Sequence, residues 1–166
     1  MLSDRSRNVK SHNQSHESIK QSTVKALPKR LCIGIGGHFG PSYSVTLEKG
    51  RLAYTYWPPE ASFSQEPQPR REEIEPSAKQ WQTFRRGLDR LNVWYWQGNY
   101  PNSVMVCDGV GWSAEIAYSD RSLVSSGDNC FPGRDGRAVP ITADETDNTF
   151  AKFCRAVARL IGRQFH

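Results

Sequence analysis

One histidine, His38, stands within residues 31–165, since His12 and His16 fall earlier and His166 is terminal. A histidine-dependent general base would be this one. Its chemical partners would be Asp108 or the thiol of Cys107, with Cys32 as a second thiol, because a neighbouring base lowers a thiol's pKa and activates it. A small hydrolase or transferase using His38 with Asp108 or Cys107 is therefore the alternative function. No spacing in the chain draws these residues together, so no catalytic residue is assigned. Glu72, Glu73 and Glu75 have the chemistry of paired carboxylates. They precede a helix, however, where negative charge favours the N-terminal dipole.

Other constellations are weaker still. Gly34-x-Gly36-Gly37-His38-Phe39-Gly40 resembles a phosphate cradle, but the dinucleotide pattern needs glycine where Phe39 stands and a helix where Pro41 begins a strand. A glycine loop ahead of a hairpin is the expectation. Cys32, Cys107, Cys130 and Cys154 form no C-x-x-C pair. They read as buried thiols acting as small hydrophobes, with no metal site and no cofactor.

Binding chemistry has better candidates. Trp94, Tyr95, Trp96, Tyr100, Asp108, Trp112 and Asn129 crowd into one stretch. Tyr95, Trp96, Tyr100, Asp108, Trp112 and Asn129 are the expected binding residues, since exposed rings stack on ligands and favour interfaces. The competing expectation is that Trp94 and Trp96 enter the core while Tyr95 points out.

The elements that must position these groups follow from periodicity. Residues 42–47 and 51–56 alternate across Glu48-Lys49-Gly50, which predicts a hairpin with glycine at positive φ. Pro76 and Ser77-x-x-Gln80 open a helix whose stripe is Ala78, Trp81, Phe84, Leu88 and Leu91. Strands are predicted over 103–107, 112–118 and 122–126, the second placing Trp112, Ala114, Ile116 and Tyr118 on one face. A polar loop over 133–147 leads to a last helix carrying Phe150, Phe153, Cys154, Val157, Leu160 and Ile161, with Gly162 as its stop. The predicted fold is α+β, in the order ββ-α-βββ-α, an antiparallel sheet with two helices packed on one face.

The run Trp96…Tyr100…Asp108-Gly109…Trp112…Gly127-x-Asn129-x-x-Pro132, with Phe150-x-x-Phe153 after it, resembles a group of small bacterial α+β proteins of unknown function. The hairpin at Gly40-Pro41-x-Tyr43 is similar to the opening of related domains. This chain departs from the pattern between Pro132 and Phe150, where residues are inserted. The resemblance implies a fold and brings no activity or active site.

Charge and composition set the rest. Residues 1–30 carry seven basic and two acidic groups, whereas 31–166 carry 15 of each, so the net charge of +5 belongs to the tail. That tail is polar and poor in apolar residues, which predicts disorder over 1–30 and a single α+β domain over 31–166. Nucleic acid is expected only weakly, through the basic tail. No apolar leader precedes residue 31 and no run is long enough to span a membrane. The expectation is a soluble, cytoplasmic, non-enzymatic domain that binds a protein or small ligand. Bacterial immunity proteins of toxin systems are often of this size and class, so an immunity-protein-like role enters by analogy.

Overall fold

The computed structural model describes residues 27–37, 40–59, 68–102, 109–140 and 148–166. Strand β1 (Arg30–Gly37) lies at the centre of a seven-stranded sheet, flanked by β2 (Ser42–Glu48) and β6 (Val110–Ala117). The chain is built into this sheet from Lys29, whose amide donates to the Ala117 carbonyl at 2.6 Å. The expected glycine loop over 34–37 is therefore strand. Leu31, Ile33 and Ile35 alternate into the core, and that period-two signal outweighs the glycines once ladders run along both edges.

The hairpin β2–β3 (Arg51–Trp57) forms where alternation places it, with Lys49 at φ 49° and Gly50 at φ 85° in the turn. Strand β4 (Arg70–Ile74) then covers the edge of β3. Its sequence, Arg-Arg-Glu-Glu-Ile, blunts an open sheet edge with charge. Glu72 and Glu73 thus sit in an edge strand and pair with arginines, which corrects their expected role at a helix start; the helix itself has no acidic residue in its first turn.

Helix α1 (Ala78–Leu91) begins at Ser77, which forms the full capping box with Gln80, and buries Trp81, Phe84 and Leu88. A turn of 3₁₀ helix, Val93–Tyr95, leads to β5 (Asn99–Tyr100). Strands β6 and β7 (Ser122–Asp128) pair antiparallel, while β5 pairs parallel with β7, so the sheet is mixed. The small hairpin β8 (Cys130–Pro132) and β9 (Ala138–Pro140) occupies part of the expected polar loop. Helix α2 (Thr149–Ile161) buries every apolar residue expected of it and ends at Gly162 in the left-handed conformation.

The fold is α+β, but among the described residues its order is four strands, a helix, five strands and a helix, with the main sheet arranged β4-β3-β2-β1-β6-β7-β5. The strand expected over 103–107 and most of the tail expected over 1–30 lie outside the described residues.

Both helices cover one face of the sheet. Leu31, Ile33, Val45, Leu52 and Ile116 join Phe84, Leu88, Phe153, Val157 and Leu160 in one core cluster. Tyr54 donates to the Gln164 carbonyl at 2.9 Å and the Tyr43 ring meets Phe165, which seats the C-terminus on the same face. On the opposite face Cys32, Ser113 and Val124 are exposed. Among the described residues no helix is long and apolar enough to cross a membrane.

Candidate binding surface

The aromatic residues come together, but inside. Trp96, Tyr100 and Trp112 are 7%, 0% and 5% exposed. Trp96 meets Trp112 edge-on at 6.1 Å and Phe153 at 5.2 Å, while Trp112 lies 4.8 Å from Phe150. The Tyr100 hydroxyl donates to the Gly136 carbonyl and accepts from the Gln97 amide, and the Trp112 indole donates to the Cys130 carbonyl at 2.9 Å. These rings knit the β8–β9 hairpin to the sheet and offer no face to a ligand. Tyr95 alone of the group is strongly exposed, at 73%, and Trp94 is half-buried.

Asn129 also has a backbone task. It takes a left-handed conformation, φ 50°, and its side-chain oxygen accepts from the Val110 amide at 2.7 Å, closing the step from β7 to β8. Gly127 beside it has no room for a Cβ, which would collide with the Trp112 indole nitrogen. The Gly-x-Asn pattern is thereby a packing device. Asp108, His38 and Cys107 lie outside the described residues.

The open sheet face carries a shallow depression of about 690 Å³ lined by Gly34, Gly36, Gly111, Ser42 and Ser113. The glycines differ. A Cβ at Gly36 would strike the Ser42 hydroxyl and one at Gly37 would lie 2.7 Å from the Gly109 carbonyl oxygen, so both are needed for chain approach. Gly34 and Gly111 have room for a side chain and lack one. Elsewhere on this face the charges are matched: Arg71 to Glu48 at 2.6 Å, Arg51 to Glu73 at 3.2 Å, and Arg30 to Glu115. Cys32, expected to be buried, faces this open side, with the Thr46 hydroxyl 3.7 Å from its sulfur. Its position in the alternation opposite Leu31 and Ile33 sends it outward. Cys130 and Cys154 are buried, and desolvation raises both thiols, Cys154 to about 12.

At the end of β6 an arginine clamp is fully occupied. Arg85 lies between the rings of Trp94 and Tyr118, 5.0 and 4.4 Å from their centroids. It grips Asp120 with two nitrogens at 3.0 and 2.8 Å and touches Asp89 at 3.3 Å. The bond from Arg85 holds the Asp120 carboxyl down at about 2, and burial pushes the Tyr118 hydroxyl up. Asp89 also accepts from the Trp94 indole at 2.8 Å. Every charge here is spent within the fold.

The helical layer is different. Within α1 and α2 stand seven basic residues and one acid, Asp89, while the rest of 31–166 holds eight basic and fourteen acidic residues. Lys79, Arg86, Arg90, Lys152, Arg155 and Arg159 are all exposed. None has a carboxylate partner among the described residues; Arg86 and Arg155 bond only to carbonyls of their own helices. Their spacing of three, four or seven puts each helix's cations on one outward stripe. The helices run antiparallel, since Gln80 at the start of α1 donates to the Leu160 carbonyl at the end of α2, while Gly87 faces Ala156. Between them lies a groove of about 300 Å³ floored by Phe84, Gly87, Ala156 and Leu160 and rimmed by Lys79, Arg90 and Arg159.

This surface escapes a reading by total charge, because the body's neutral sum hides its segregation. The signal was present in the two helix sequences, where Lys and Arg recur opposite the apolar stripe with almost no acid between them. Compared with protein-family models, with curated proteins and with solved structures, the chain matches none.

Proposed function

We propose that the chain is a non-enzymatic binding domain that engages an anionic partner through the outer face of α1 and α2. The observation that carries this reading is the sorting of charge. Arg30, Arg51 and Arg71 on the sheet side are matched by carboxylates, whereas six cations on the helical layer have no carboxylate partner among the described residues. Unmatched like charges repel one another in the folded state, so their concentration on one layer suits an external counter-charge. Arg90→Glu with Arg159→Glu should elute much earlier from a sulfated-polysaccharide column than the parent, at equal fold by circular dichroism. The same reversal at Lys49 and Arg70, on the hairpin turn and the sheet edge, should change retention little. Equal losses in the two variants would end the assignment to the helices.

A small ligand seated in the glycine-lined depression is a second reading. It is favoured by Gly34 and Gly111, since glycine inside a strand weakens it and often marks close approach by a ligand or another backbone. Gly34→Val should fold and block such a ligand; a screen of small neutral ligands that finds no difference between parent and variant removes this reading. Kinship with the small bacterial α+β proteins, and an immunity-type role within it, remain part of the proposal on the strength of the tryptophan–glycine–asparagine pattern alone.

A further inference from the structure

Resting on the anionic-partner reading above, we infer that the helical layer holds the phosphate backbone of duplex nucleic acid, without regard to sequence. Four of the six cations without a carboxylate partner among the described residues, Arg86, Arg90, Arg155 and Arg159, are arginines, whose planar fork matches a phosphate with two donors where an ammonium offers a point charge. The α1 stripe from Lys79 to Arg90 spans roughly 16 Å by helical rise, about the axial length of five phosphates on one strand. The second stripe, Lys152 to Arg159, runs beside it across the groove, so the two together form a positively charged bed rather than a single line.

What the layer lacks selects among anions. The large exposed apolar side chains of the described residues are Leu27, Tyr95 and Val124, and none lies on α1 or α2. A protein partner needs a desolvated aromatic or aliphatic anchor at the centre of its interface, and a helix lying on a membrane buries an apolar face into lipid. The exposed apolar side chains of α1 and α2 are the small Ala78 and Ala151, while Leu91, Ala156 and Ala158 are half-buried against the core. No ring on the layer provides a stacking platform, which single strands use. Cations at helical spacing with neither anchor nor platform leave the sugar–phosphate rail of a duplex as the partner, and phosphate contacts carry no sequence information.

The test titrates labelled duplex DNA of two unrelated sequences with the full chain, at salt from about 50 to about 200 mM. Equal affinity for both sequences is expected, falling steeply with salt. Arg86→Gln, Arg90→Gln, Arg155→Gln and Arg159→Gln together should weaken binding at least tenfold and flatten the log–log salt slope by about three to four. The pairs Arg86→Gln/Arg90→Gln and Arg155→Gln/Arg159→Gln should each give about half that change in slope, which keeps the test decisive if the quadruple variant fails to fold. Arg7→Gln, Lys10→Gln, Lys20→Gln and Lys25→Gln remove the same charge from the tail and should cost less. A tail variant that loses as much as the helix variant, or a marked preference between the two sequences, overturns the inference. Polyglutamate and phosphatidylserine vesicles are titrated in parallel. If the parent prefers either to DNA and the helix substitutions abolish that binding, the anionic-partner reading stands and the duplex falls. If the helix substitutions change none of the three, both fall.

Discussion

The two faces of this molecule handle charge in opposite ways. On the open sheet face, Arg30, Arg51 and Arg71 each meet a glutamate from another strand, on the same side as the depression lined by glycine and serine. On the helical layer Lys79, Arg86, Arg90, Lys152, Arg155 and Arg159 meet no carboxylate among the described residues. Matched surface pairs add little to stability, typically less than about 1 kcal/mol, but they cancel the field that would draw a charged partner. Unmatched charges do the reverse. Arg85 shows that the difference is one of placement: it belongs to α1, yet it turns toward the sheet and is wired into Asp120, Asp89 and two rings as tightly as any pair in the protein.

One core lies beneath both faces, and the largest effect should come from breaking it. Trp112→Ala removes a ring packed on Trp96, Tyr100 and Phe150 and should cost about 3–5 kcal/mol in denaturant unfolding. A near-native midpoint would mean that the faces are not carried by a common core. Next comes Arg85→Ala, which strips the stacked cation from Trp94 and Tyr118 and leaves Asp120 without its strongest partner; the expected loss is roughly 1–3 kcal/mol. Arg85→Lys should recover only a minor part, because an ammonium cannot make the two-pronged bond.

Smaller is the effect of acid. The folded value of Asp120, about 2, lies below its ordinary 3.8. Its contribution is therefore fully present above about pH 4 and lost as pH falls from about 4 to about 2. Asp120→Asn should flatten that part of the stability profile and leave the neutral region lower but level. A variant whose acid limb matches the parent's would show that Asp120 is not the group titrating there. The smallest changes should come from the helical layer itself. Neutralising Arg86, Arg90, Arg155 or Arg159 singly should alter stability by less than about 0.5 kcal/mol, with a gain as acceptable as a loss, since relief of repulsion is set against, at Arg86 and Arg155, one exposed bond to a helix carbonyl. A loss well beyond that would mean these side chains are structural.

Much of the fold could be read from period and punctuation. The β2–β3 hairpin, the Ser77 box and the stripe of α2 are local signals, and local chemistry decides them. Tertiary context decided the rest. Strand β1 was hidden because its glycines look like a loop until Gly36 is placed against Ser42 and Gly37 against Gly109. Strand β4 was hidden because Arg-Arg-Glu-Glu has no apolar alternation; it is a strand through pairing with β3 and through salt bridges that reach across to Glu48 and Arg51. For the site, ring type suggested Trp96, Tyr100 and Trp112, yet size drove them inward, where each ring's burial outweighs a surface role. The basic layer was legible only after the two helices were known to lie side by side.

The pairing of β1 with β6 sets a condition on the order of events when the chain is made. Strands β1 to β4 are neighbours in sequence and can assemble as a meander while synthesis continues. Arg30 and Glu115, by contrast, are 85 residues apart, and they belong to the ladder that joins the two halves of the sheet. Until β6 leaves the ribosome, the central strand presents a bare edge of unpaired amides and carbonyls, with Leu31, Ile33 and Ile35 beside it. Such an edge recruits other strands, and closing so distant a contact is slow relative to local pairing. Yield of this protein should therefore depend on the time between the two halves, and slowing translation between residues 60 and 110 should favour aggregation over the folded state.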